Sequence, residues 1–251
     1  MRRVCLVLAV LCGVAMLCVP EVPAAERSVK IKALIITGDD VSAHPWREMA
    51  EATCKALDES GRFDVKVCDK LPILESAKDL GKYDVILFLI YTTPKSPKIS
   101  GHAKENLLSY VKGGKGFFVQ HLASASFADW DEFGNLCGRK WVMKKSGHGP
   151  RNIFESKIVD KEHPITRGME NFKTDDELYA KLQGDTPIHV LIEADSDWSK
   201  KTEPLVFIQN YGKGRVVYNA YGHDGKALAN PAVKKIITRG AEWAARGKVA
   251  D

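Results

Sequence analysis

Three nearly continuous apolar runs constrain this chain more than any other feature. Residues 30–37 read KIKALIIT, residues 83–91 read YDVILFLIY and residues 116–121 read GFFVQH. A strand wetted on one face alternates apolar and polar side chains, whereas a nearly continuous run marks a strand covered on both faces. Helical spacing separates the runs. Trp46, Met49, Ala50, Thr53, Cys54 and Leu57 share one face of a helix predicted over 46–60, with Gly61 at its C′ position. A further strand is predicted at 63–67 and a further helix at 103–112. Strand and helix patterns therefore alternate through the first half, the mark of a doubly wound α/β fold with a mainly parallel sheet.

The second half reads as an antiparallel extension. Strands are predicted at 154–159, 190–194, 205–209 and 214–220, the last two joined as a hairpin through Tyr211-Gly212-Lys213-Gly214. Val233, Ile236, Ile237, Gly240, Ala241 and Ala244 trace a closing helix that starts near Pro231, a residue suited to the first helical position. There is no internal repeat, so one domain over 26–251 is the economical reading.

The first 25 residues stand apart. Arg2 and Arg3 precede an apolar run over 4–19, and Ala24-Ala25 follows a Pro-bearing segment, the plan of a secretory signal peptide. The run is shorter than the roughly 20 residues of a spanning helix, so stable membrane insertion after cleavage is not expected. Cys18 follows the bulky Leu17, a poor fit to lipoprotein processing. The expected destination is the periplasm or the extracellular medium. Removing Arg2, Arg3 and Glu21 with the signal lowers the formal charge from +5 to +4. That excess is mild, and the short Lys144-Lys145 and Lys200-Lys201 pairs lack interleaved aromatics, so nucleic acid is not an expected partner. Cys54, Cys68 and Cys137 remain after cleavage, with no CxxC spacing. That removes zinc-finger and thioredoxin readings and leaves a bridge between Cys54 and Cys68 open.

Several strings then resemble the ThuA-like, trehalose-utilisation family. KALIITG precedes His44-Pro45-Trp46-Arg47-Glu48, and LLSYVKGGKGFFVQH spans 107–121. Phe127, Trp130, Phe133, Leu136 and Gly138 follow at fixed spacing. GHGP at 147–150, HPITRGM at 163–169, DELY at 176–179, YGKGRVVYNAYGHD at 211–224 and RGAEWAA at 239–245 complete the order. The resemblance implies a fold similar to class I glutamine amidotransferases, with a flavodoxin-like sheet. It also implies a link to trehalose and other glycosides, handled as 3-keto derivatives, with a small carbohydrate as partner.

In open parallel sheets ligands bind beyond the carboxyl ends of the strands. The first strand delivers Asp39, Asp40 and His44, the third Tyr91 and Thr92, and the fourth His121. His121 stands where the amidotransferase fold would carry its nucleophile, and neither cysteine nor serine occupies that place, which argues against glutaminase chemistry. An imidazole there suits general acid–base catalysis or metal ligation. The catalytic candidates are thus His121, Glu177, His223 and Asp224. Glu177 would act as a base if burial raised its pKa, and Asp224 would orient His223 or neutralise a cation. Substrate-binding candidates are His44, Trp46, Tyr91, Trp130 and His148, with Phe127 and Trp141 as further members of an apolar wall for a sugar ring. His44, His121 and His223 are also candidate ligands of a divalent metal ion, although no HxxxH spacing joins them. Several of these residues also have a plain structural reading: a histidine hydrogen-bonded into the sheet edge for His121, an N-terminal helix carboxylate or a surface salt bridge for Glu177, core packing for Trp130, a turn for His148. Two functions follow from the same cleft, an acid–base enzyme on keto-glycosides and a non-catalytic sugar-binding protein.

Overall fold

The computed structural model describes residues 29–39 and 43–250. The expected signal segment and Asp40 lie outside the described residues. Among the described residues no helix is long and apolar enough to cross a membrane.

The apolar runs become the inner strands. β1 (Ile31–Thr37), α1 (Trp46–Glu59), β2 (Phe63–Asp69), a short α2 (Ala77–Leu80), β3 (Val85–Phe88), α3 (Gly101–Lys112) and β4 (Gly116–Gln120) follow in turn. α4 (Asp131–Cys137), β5 (Asn152–Ile158), β6 (Phe172–Asp176), β7 (His189–Ser196), β8 (Lys201–Tyr211), β9 (Gly214–Asn219), α5 (Gly225–Leu228) and α6 (Pro231–Arg246) complete the chain. One sheet runs β2-β1-β3-β4-β9-β8-β7-β5-β6. From β2 to β9 the neighbours are parallel, and from β9 to β6 they are antiparallel. Ile35, Leu87, Phe118 and Val217 lie in register across four strands, all fully buried.

Helices cover both faces, which is why these strands lack polar alternation. On one face Gly240 of α6 rests on Phe118, where an added Cβ would stand 2.7 Å from the ring. On the other, Phe88 meets Phe117, Phe127 and Phe133. α6 opens at Pro231, with the Asn230 side chain accepting a hydrogen bond from the amide of Ala232. The hairpin between β8 and β9 turns at 212–213 as expected.

Three expectations change. β3 is shorter than the run at 83–91, because Leu89 and Ile90 are buried in the connection beyond the ladder, and hydrophobicity does not distinguish the two. His121 does not end the strand but opens a 3₁₀ turn with φ of 49°. β6 was not expected: its well-buried residues are Thr174 and Asp176, so it carries no apolar period. Cys54, Cys68 and Cys137 are all free, with no bridge between the first two.

Candidate functional site

Four distant segments meet beyond the carboxyl ends of β4 and β9. His121 is fully buried, and its Nδ1 donates to the carbonyl of Ala220 at 2.5 Å. A carbonyl can only accept, so the proton sits on Nδ1 and Nε2 presents a lone pair. The Tyr179 ring stacks on this imidazole at 4.0 Å. His44, just before α1, brings its Nε2 to 3.2 Å from His121 Nε2. Glu177 follows β6 directly, with Oε2 3.5 Å from both of those nitrogens. Its Oε1 lies 3.2 Å from His223 Nδ1 and 3.5 Å from His148 Nε2.

The carboxylate is the hub of the cluster, and it is not a strong base. Burial opposes its ionisation, but the close approach of the His121 and His44 imidazoles, with that of His148, favours the ionised form, outweighs burial and holds the carboxyl well below the usual carboxylate range. The condition under which Glu177 would serve as a base, a pKa raised by burial, is therefore not met. Exposure grades across the group: the side chains of His121, Glu177, His44, His223 and His148 are 0, 10, 11, 18 and 33% accessible. His148 and His223 thus form the open side.

Asp176 was quoted only as part of DELY, yet it builds much of this geometry. Fully buried, its carboxylate accepts hydrogen bonds from the amides of Glu177 and Gly222 at 2.8 Å and of His223 at 3.1 Å. Gly222 takes φ of 124°, and a Cβ there would stand 2.9 Å from Leu228 Cδ2, so the turn that presents His223 requires glycine. The His148 segment is also anchored. Gly147 and Ala180 exchange backbone hydrogen bonds of 2.8 and 3.1 Å, and His148 Nδ1 donates to Gly149 O, leaving Nε2 as an acceptor.

Other candidates sit elsewhere. Asp224 lies beside the cluster with its carboxylate engaged: Arg151 donates to both oxygens, and Oδ1 caps α5 by accepting from the amide of Ala227. Trp130, the extended residue just before α4, packs between Phe127 and Phe133 in the core, under Lys104. Trp46 lies under Arg47 and lines a different surface depression, with Cys54 and Val67. Tyr91 is half-buried and its phenol acts electrostatically on Tyr179, whose own pKa is raised chiefly by burial. Of the three residues of the expected aromatic wall, Trp141 reaches the cluster, 4.5 Å from the Tyr179 ring and 5.9 Å from that of His148.

The donor atoms of His44, His121, Glu177 and His223 all lie within 4.8 Å of one another, a set able to hold a metal ion. The same atoms can also polarise a carbonyl or relay a proton.

Comparison with known proteins agrees with this picture. The ThuA family model, described as trehalose utilisation, matches residues 32–244. A ThuA-like protein of Parabacteroides merdae is 26% identical, with a TM-score of 0.77 over 89% of this chain and 92% of its own. A ThuA-like protein of Bacteroides uniformis is 18% identical, with a TM-score of 0.69 over 90% of this chain and 97% of its own. A β-galactosidase of Bacillus circulans shares the fold at 15% identity and a TM-score of 0.58, over 85% of this chain but 31% of the enzyme. No curated protein matches by sequence. A family match over most of the chain, on a class I glutamine amidotransferase-like fold, makes this protein a member of the ThuA, or trehalose utilisation, family.

Proposed function

We propose that the protein acts on a glycoside, in the form of a 3-keto-sugar derivative, by acid–base chemistry outside the cytoplasm. Family membership supports a carbohydrate-related role. The observation that carries the reaction class is the convergence of four imidazoles on the Glu177 carboxylate. A ketone acidifies the neighbouring C–H. A base removes that proton, the electron pair passes to the ketone oxygen as an enolate, and its return expels the glycosidic oxygen, which regains a proton. Because Glu177 is held ionised and weakly basic, it anchors imidazoles, and the base is His148 through Nε2, its side chain lying on the open side of the cluster. His44 and His223 face the developing negative charge on the ketone oxygen. Trp141 supplies the apolar surface beside them. Export rests on Arg2, Arg3, the apolar run over 4–19 and Ala24-Ala25.

The test uses protein recovered from the periplasm of an expressing bacterium, expected to begin at Ala25 or Glu26. Incubated with 3-keto-trehalose and followed by NMR, it should release sugar, and His148→Ala should lower kcat by about 100-fold or more. Saturable binding of keto-glycosides with no product formed would instead identify a non-catalytic sugar-binding protein.

A further inference from the structure

The atoms around Glu177 are spaced as ligands of a common ion. His44 Nε2, His121 Nε2 and Glu177 Oε2 form a triangle with sides of 3.2, 3.5 and 3.5 Å. Nitrogen and oxygen ligands bound tetrahedrally at roughly 2.0–2.1 Å stand about 3.4 Å apart, whereas octahedral neighbours at that bond length stand about 3.0 Å apart. The triangle therefore has the dimensions of one face of a tetrahedral site. His223 approaches the same carboxylate, and all four donors lie within 4.8 Å of one another.

Two independent observations agree with the spacing. The proton of His121 is committed to Ala220 O, so its lone pair points into the triangle, as an outer carbonyl fixes a metal-binding imidazole. Glu177 Oε2 and His223 Nδ1 are buried and make no hydrogen bond within the described residues. Buried polar atoms left without a hydrogen-bond partner are unfavourable, and an ion between them would satisfy both.

We infer that His44, His121, Glu177 and His223 hold one divalent transition-metal ion with the ligand preferences of zinc. Three imidazoles with one carboxylate suit zinc, cobalt, nickel or ferrous ions, and they disfavour magnesium and calcium, which take oxygen donors. His148, 3.5 Å from Glu177 Oε1 and on the open side, stays outside the ligand set. The inference uses the site of the proposed reaction, where an ion would polarise the ketone oxygen, but it stands on geometry alone.

The test is binding rather than turnover. The chelator-dialysed mature protein is titrated with Co2+ and with Zn2+, followed by cobalt absorption, calorimetry and thermal unfolding. The expected result is one ion per chain, the intense visible bands of four- or five-coordinate cobalt, and a raised Tm. His121→Ala and Glu177→Gln should each weaken binding by at least about 100-fold, the upper end of what loss of an outer-shell partner costs. His189→Ala, at a surface histidine paired with Asp160, should bind as the parent does. Circular dichroism checks folding, and His44→Ala, on a connection rather than in the core, replaces any variant that fails to fold. Absence of saturable binding by the parent, or parent-like binding by folded His121→Ala and Glu177→Gln, overturns the inference. Ion binding without turnover of keto-glycosides would sink the proposed reaction and leave the metal site standing; turnover together with no saturable ion binding by the parent would do the reverse.

Discussion

Asp176 shows how one buried side chain sets the positions of others. Its two oxygens take three backbone amides, and those amides belong to the segments carrying Glu177 and His223. An ionised acceptor is worth more per hydrogen bond than a neutral one, and an amide left unsatisfied in the interior is costly. Asp176→Ala is therefore expected to destabilise the fold by about 3 kcal/mol in chemical denaturation, with Asp176→Asn recovering part of the loss. An equal cost for both variants would mean that the carboxylate fills space rather than accepts. At the same scale, Asp224 illustrates how a neighbour redirects a functional-looking residue. Adjacent to His223 in sequence, it is drawn to Arg151 and to the N-terminus of α5.

Among the elements, the β8–β9 hairpin is tied to α4 by polar contacts: Gln209 Nε2 donates to the carbonyls of Asn135 and Leu136, and the Tyr211 hydroxyl donates to Glu132 Oε1. That hydrogen bond, helped by one from Asn135, lowers the Glu132 pKa below its ordinary 4.5 against a smaller opposing effect of burial. A carboxylate with a depressed folded-state pKa contributes stability above its unfolded value and loses it as pH falls through the folded one. Tyr211→Phe should therefore lower Tm at pH 7, and the gap to the parent should close as the pH drops below 4.5. A gap that is constant with pH would assign the effect to packing of the hydroxyl alone. The strand-to-turn junction at His121 is another feature of this scale. Positive φ at a non-glycine residue is sparsely populated, and here the imidazole is held by Ala220 and stacked under Tyr179.

Over the whole molecule, the site depends on a ribbon that folds back. β6 is four positions from β9 in the sheet order, yet Glu177 at its end touches His121 at the end of β4. β5 makes this return: residues 152–156 pair with β6, while Lys157 and Ile158 pair with β7. Phe154 and Phe172 then close over Tyr221, whose hydroxyl donates to Ser156. Tyr221→Leu should speed amide exchange in β5 and β6 while β1 and β4 stay protected, as measured by mass spectrometry. Uniform loss of protection would show that the ribbon and the parallel sheet open as one unit. The parallel strands, the β8–β9 hairpin and the start of α6 at Pro231 were legible in the sequence, since apolar period, turn glycines and proline geometry act over a few residues. So was the delivery of His121 to a strand end. β6 was not, because its buried positions are the polar Thr174 and Asp176; nor was the inward turn of Trp130, nor the weak basicity of Glu177. Those follow from tertiary contacts, such as Asp176 with Gly222 and His223 or Glu177 with His44 and His121, and a side chain's hydrogen bonds and local field exist only once the folded chain has brought those partners to it.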